Sequence, residues 1–166
     1  MCIRDRPTLE QPGFEADDII GTLATMASKE ELDVYIVSGD KDFMQLVNDK
    51  IFLYAPSGRQ ADIKIYDRNG VVDKWGVPPE KIIDLLGLMG DSSDNVPGVP
   101  GVGEKTAVKL INEYGSLEAS LDHADEVKNK RAREGLQNAK SEALLSKELV
   151  TIDTKMDLDI DFSTFF

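Results

Sequence analysis

Residues 82–107 read IIDLLGLMGDSSDNVPGVPGVGEKTA. Ile82, Ile83, Leu85, Leu86 and Met89 fall at helical spacing, and Pro78 and Pro79 stand where a first helical turn loses nothing by lacking an N–H. Residues 91–103 are too dense in Gly and Pro to continue a helix, and the helical period returns over 104–114 through Ala107, Val108 and Ile111. The stretch is therefore a helix, a tight loop and a second helix. Glycines let a backbone approach a phosphate closely, and the second helix offers free N–H groups at its start with Lys105 beside them. Gly98, Val99, Gly101, Val102, Gly103, Lys105 and Thr106 are the candidate backbone-gripping residues, the bland alternative being a plain interhelical turn. Lys105 lacks the preceding Gly that a Walker loop requires.

Toward the N-terminus, Ile19, Ile20, Leu23, Ala24 and Ala27 predict a helix from residue 16, with acids at the end its macrodipole favours. Residues 33–38, DVYIVS, are a short β-branched run suited to a strand buried on both faces of a parallel sheet. Asp40 and Asp42 stand just beyond its carboxyl end, where open α/β sheets gather their ligand sites. A short helix over 43–47, strands over 51–54 and 63–66, and a helix capped by Asp67 that ends near Trp75-Gly76 complete this part. Downstream, helices are expected over 116–121, 124–134 and 138–150, the last with an apolar face of Leu144, Leu145, Leu149 and Val150. Trp75 reads as a core residue and His123 as a solvated surface side chain. Lys128, Lys130, Arg131 and Arg133 suit either phosphate contact or a solvated helix face.

Seven acids fall in three short groups, Glu15-Ala-Asp17-Asp18, Asp40-Lys-Asp42 and Asp91-Ser-Ser-Asp94, with too few basic partners to neutralise them. Like charges brought close together are strongly unfavourable without a cation. Hard oxygen ligands suit Mg²⁺ or Mn²⁺ rather than zinc or copper. A cluster this rich has room for two ions, the arrangement that clamps the attacking and leaving oxygens in phosphodiester hydrolysis. Taken singly, each group also reads as helix capping or a turn.

Composition narrows the classes. With 166 residues, 41% hydrophobic and 30% charged, the chain is a folded domain or two small ones rather than a disordered segment. Cys2 is the only cysteine, which excludes an intrachain disulfide and a thiolate zinc site and suits a reducing cytoplasm. No apolar run approaches the roughly 20 residues of a membrane helix, and no secretory segment follows Met1, so neither membrane nor export is expected. The net charge of −12 would argue against a polyanionic partner, unless divalent cations at the acidic groups invert the local field. A single histidine leaves no Ser-His-Asp triad.

Gly13-Phe-Glu-Ala-Asp-Asp18, Ser38-Gly-Asp-Lys-Asp42 followed by Gln45-Leu-Val47, and residues 88–107 together resemble the 5′ nuclease and flap endonuclease family, in the form of the 5′-3′ exonuclease domain of bacterial DNA polymerase I. The resemblance covers residues 13–162. It implies an α/β fold, with a PIN-like parallel-sheet portion at 13–76 followed by a helical subdomain at 77–162. The latter carries a helix-three-turn-helix element of the helix-hairpin-helix type. It implies a structure-specific 5′-3′ exonuclease or flap endonuclease of DNA replication and repair, removing RNA primers and 5′ flaps by two-metal hydrolysis with no catalytic group beyond the metal ligands. By the same resemblance, Glu15, Asp17, Asp18 and Asp40 belong chiefly to the first metal site, and Asp42, Asp91 and Asp94 to the second. The loop over 98–106 would hold duplex backbone through a monovalent cation such as K⁺. The implied partners are DNA, as flapped, nicked or primer-template duplex, and a polymerase domain of the same natural chain, in the bacterial cytoplasm at the nucleoid.

Residues 1–12 are expected to be a non-native leader and 163–166 a truncated tail. The family's N-terminal strand with its metal-ligand Asp, and its basic arch, have no counterpart before Gly13. An open sheet edge and weak or absent cleavage by this chain alone are therefore expected. Two readings from other classes stand beside the enzyme: a catalytically silent DNA-structure-binding module and a cation-binding structural domain.

Overall fold

A computed structural model describes residues 8–57, 62–160 and 162. Residues 1–7 of the expected leader, with Cys2, and the expected tail at 163–166 lie outside the described residues. α1 (Ala16–Lys29) leads into β1 (Val34–Val37), a 3₁₀ turn (Asp42–Leu46), β2 (Ile51–Ser57), β3 (Asp62–Tyr66) and α2 (Arg68–Trp75). A 3₁₀ turn at Pro79–Lys81 opens α3 (Ile82–Met89). α4 (Glu104–Tyr114), α5 (Leu117–Asp122), a 3₁₀ turn (Ala124–Glu126), α6 (Lys130–Asn138) and α7 (Lys140–Leu149) follow. Local chemistry sets the limits of these elements. Asp67 accepts from the Gly70 N–H at 2.7 Å to start α2, and Gly76 ends it in the left-handed region at φ 71°.

β1 and β2 are parallel, with Val34 opposite Ile51, whereas β3 returns antiparallel to β2, with Leu53 opposite Tyr66. The sheet is thus small and mixed, in the order β1-β2-β3, and β1 lies at an edge among the described residues. The expected strand buried on both faces is corrected here. Ile36 is buried, but Tyr35 and Val37 are 54% and 72% exposed. Strand side chains alternate between faces, and only one face, that of Ile36, Ile51, Leu53 and Tyr66, joins the core.

Two helical expectations also change. The span 124–134 is not one helix. The 3₁₀ turn stops at Glu126, and Asn129 starts α6 anew by accepting from the Ala132 N–H at 3.2 Å. On α7, Leu144, Leu145 and Leu149 are 41%, 49% and 58% exposed, while Ala143, Ser146 and Val150 are buried. The reason is close helix packing. A Cβ at Gly87 of α3 would stand 3.1 Å from Lys147 Cα, so the absent side chain of Gly87 lets the backbone of α7 come close, with Ala143 and Ser146 on its buried side.

Beyond α7 the chain runs back across α1 as an extended strap. Gln45 holds it at both ends of its amide, donating to Val150 O at 2.9 Å and accepting from the Ile152 N–H at 3.1 Å. Thr22 Oγ1 donates to Asp153 O at 3.2 Å. One continuous core runs from Ala24, Ile36, Phe43 and Leu53 to Leu85, Leu88, Leu117 and Leu136, so the sheet-bearing and helical parts share their apolar interior. No helix among the described residues is long and apolar enough to cross a membrane.

Candidate metal centre and backbone-binding loop

β1 ends at Val37, and side chains shape the turn that follows: Ser38 Oγ accepts from the Asp40 N–H at 3.0 Å, and Asp40 Oδ1 from the Asp42 N–H at 2.9 Å. α3 ends at Gly90, after which Asp91 and Val96 exchange both backbone hydrogen bonds, at 3.0 and 2.7 Å. Asp91 Oδ1 accepts from the Ser93 N–H at 2.9 Å, which folds the loop tightly. One oxygen from each of Asp42, Asp91 and Asp94 then lies within 4.8 Å of the others.

A cleft of about 530 Å³ is lined by Glu15, Asp17, Asp18, Asp40, Asp42 and Asp94. Asp91 stands with this set through its grouping with Asp42 and Asp94. Acids far apart in sequence are thus brought together, while Glu148, Val150 and Ile152 supply cleft walls that carried no signal in the sequence. Asp18 is engaged at both oxygens, Oδ2 by the Glu15 N–H at 3.3 Å and Oδ1 by the Asp153 N–H of the strap at 2.9 Å. Helix capping therefore describes Asp18 as well as cleft lining does.

Crowding shows in the acidities. Burial, reinforced by Asp40, Asp91 and Asp94 and opposed by Lys41, pushes the Asp42 carboxyl up to about 6. Burial and the charges of Asp40, Glu15, Asp18 and Asp94 also raise Asp17. Asp91 moves the other way: burial is outweighed by the Lys41 ammonium and the Ser93 N–H, which hold it below the usual carboxylate range.

Asp42 Oδ1 is buried without a hydrogen-bond partner among the described residues. Asp91 Oδ2 is likewise without a well-aligned hydrogen bond, its neighbour being the Lys41 ammonium. Asp84, a buried acid elsewhere, makes the contrast. It accepts from the Leu117 N–H at 3.3 Å and from Lys147 at 2.7 Å, so its charge is satisfied within the fold. An oxygen-only set that is crowded, partly buried and short of donors fits a hard divalent cation.

The glycine-rich loop is held from inside. Gly98, at φ 63°, gives its N–H to Ser146 Oγ at 2.9 Å, and the Val99 N–H donates to Leu88 O at 2.8 Å. Val99 and Val102 are buried, so only their backbone groups are available to a ligand. Gly103 precedes α4 in extended conformation with no side-chain cap, and Gly103 and Lys105 are exposed. Arg131 packs against Gly101 and shares a pocket with Pro97, Gly98 and Pro100, whereas Lys128 lines a separate groove with Thr106 and Lys109. The basic stretch is therefore divided. His123 is an exposed residue whose ring stacks on Tyr114, and Trp75 Nε1 donates to Met44 Sδ at 3.0 Å.

Two family models match the chain: "5'-3' exonuclease, N-terminal resolvase-like domain" over residues 4–76, and "5'-3' exonuclease, C-terminal SAM fold" over residues 77–165. DNA polymerase I of Bacillus subtilis (strain 168) is 49% identical over 158 residues, which cover 95% of this chain and 18% of that protein. DNA polymerase I of Rhizobium leguminosarum is 49% identical over 155 residues, covering 93% of this chain and 15% of that protein. The chain thus spans less than a fifth of these relatives. A solved structure of T5 5'-exonuclease with bound divalent metal ions (zinc) superposes with a TM-score of 0.79 at 25% identity, over 89% of this chain and 54% of that one. The catalytic core of Rad2 with a DNA substrate shares the fold at a TM-score of 0.54 and 18% identity, over 86% and 50% of the two chains.

Proposed function

The chain belongs to the 5′-3′ exonuclease family, and on that footing we propose that it is a metal-dependent, structure-specific 5′-3′ exonuclease and flap endonuclease acting on DNA as the nuclease of a DNA polymerase I-like protein. The observation that carries this reading is the cleft, in which seven carboxylates, Glu148 among them, converge from separate segments while Asp42 Oδ1 is buried without a donor among the described residues. Asp42, Asp91 and Asp94 would hold one divalent ion; Glu15, Asp17 and Asp40, with Asp18 behind them, would hold a second. When bound, such ions supply a nucleophilic water near neutral pH and neutralise charge on a phosphodiester.

The chain's own groups do the rest. Asp42, with its carboxyl near 6, gives up its proton below neutral pH and becomes a full ligand. The buried anchors of Val99 and Val102 keep the 98–106 loop rigid, so that its backbone and Lys105 can hold a duplex by its phosphates, with a monovalent cation such as K⁺ at the loop carbonyls. A grip of this kind reads the shape of the duplex and not its bases, which suits 5′ flaps and RNA primers on DNA. The domain division follows: residues 13–76 carry most of the carboxylates, and 77–162 the backbone grip.

The test is cleavage of an end-labelled 5′-flap duplex with Mg²⁺ or Mn²⁺, against an EDTA control and Asp94→Asn. Binding of the duplex is expected, with metal-dependent cutting that is weak in this chain alone and that Asp94→Asn removes. Cutting that survives EDTA or Asp94→Asn would overturn the metal-dependent reading, and binding with no trace of metal-dependent cutting would favour the silent DNA-binding module.

A further inference from the structure

Lys41 lies between two of the acids in sequence and faces a third in space. Its ammonium pairs with Asp91 Oδ2, on a side chain only 3% exposed, while the Lys41 side chain itself is 31% exposed. Asp91 Oδ1 is already taken by the Ser93 N–H. Oδ2 is therefore the oxygen left to face a cation, and Lys41 supplies the one it has among the described residues. Lys147 differs: it is shared between Asp84 at 2.7 Å and Glu118 at 2.6 Å, both away from the acidic cleft.

Resting on the metal-site reading above, we propose that Lys41 is a positioning residue whose ammonium is the resident counter-ion of the Asp42, Asp91 and Asp94 group, and that a divalent cation binds there by displacing it. Two cations on one carboxylate oxygen repel each other strongly at these distances. The lysine can yield because its stem is flexible and its head already reaches solvent. Until it yields, the pair ties the turn after β1 to the loop after α3, so the acids stay gathered without a metal. The cost is competition. Each ion that binds must break the pair, which weakens affinity and makes the site responsive to metal concentration.

The experiment is calorimetric titration of the chain with Mn²⁺, comparing wild type, Lys41→Met and Lys41→Arg, with Asp94→Asn identifying the binding event that belongs to this group. Lys41→Met is expected to tighten that event by about tenfold, the size of one modest ion pair removed from the competition, and Lys41→Arg to leave it near wild type. In EDTA the Met variant melts lower than wild type, and Mn²⁺ raises its midpoint by more. Should Lys41→Met fail to fold without metal, Lys41→Gln offers a polar contact without the charge and shifts affinity in the same direction. Unchanged or weaker Mn²⁺ binding by the neutral variants, with the wild-type event intact, would overturn displacement alone. If wild type shows no event sensitive to Asp94→Asn, the metal-site reading falls and this proposal with it.

Discussion

Gly98→Ala is the substitution that most directly tests how the candidate backbone-binding loop is built. Gly98 sits at φ 63°, where an L side chain costs about 1–2 kcal/mol. An added Cβ would press on Gly90 N and stand 2.6 Å from the Met89 carbonyl carbon, both backbone atoms that no rotamer change can move. Overpacking of that kind costs about 1–3 kcal/mol, and the reduced freedom of the unfolded chain returns only about 0.4–1 kcal/mol. The expected net loss is about 2–4 kcal/mol, or roughly 4–16 °C in melting midpoint for a chain of this size. Urea and thermal unfolding followed by circular dichroism measure it. Gly103→Ala is the matched control in the same loop, since its φ is −100° and nothing lies within 4 Å of the added carbon. Its expected effect is within about 1 kcal/mol. A Gly98→Ala protein that melts with wild type, or a Gly103→Ala protein that loses as much, would refute the reasoning.

Helix α7 and the acidic cleft supply two more expectations. Leu145→Ala, at a half-exposed position, should change stability by no more than about 0.5 kcal/mol, whereas Ala143→Leu, on the buried face, should cost about 1–3 kcal/mol; the reverse order in urea unfolding would restore the leucine face as the packed one. In metal-free buffer, the raised Asp42 carboxyl means that the folded state holds its proton more tightly than the unfolded state does. Its contribution to stability is therefore greatest below pH 3.8 and is lost as pH rises from there to about 6. Asp42→Asn should flatten the melting midpoint across that interval, and an unaltered profile would remove Asp42 as its source.

Much of the local structure was legible because its causes are local. Asp67 and Gly76 bracket α2 by cap chemistry, and Gly98 and Gly101, both at positive φ, mark the loop that the Gly-Pro string announced. The misreadings have one origin, which is that periodicity records hydrophobicity and not the distance to a neighbour. Leu144, Leu145 and Leu149 form an apolar stripe, yet Ala143 and Ser146 are the buried side of α7, and Gly87 of α3 leaves room for its backbone at Lys147. Residues 34–37, VYIV, are an unbroken apolar run, yet the outward side chains of Tyr35 and Val37 are left exposed. The strap over 150–156 was invisible because the residues that hold it, Gln45 and Thr22, are more than a hundred positions away.

By itself, the order of residues determined the family, the helix-loop-helix element and the inventory of acids, since spacing, capping and glycine content are properties of short segments. Only the tertiary structure decided that seven acids, Glu148 among them, line one cleft, that Asp91 turns to Lys41 while Asp42 Oδ1 has no donor among the described residues, and that Asp18 is occupied by the strap. Electrostatic interaction and hydrogen bonding depend on distances of a few ångströms and on local burial, and those are set where the chain folds back on itself.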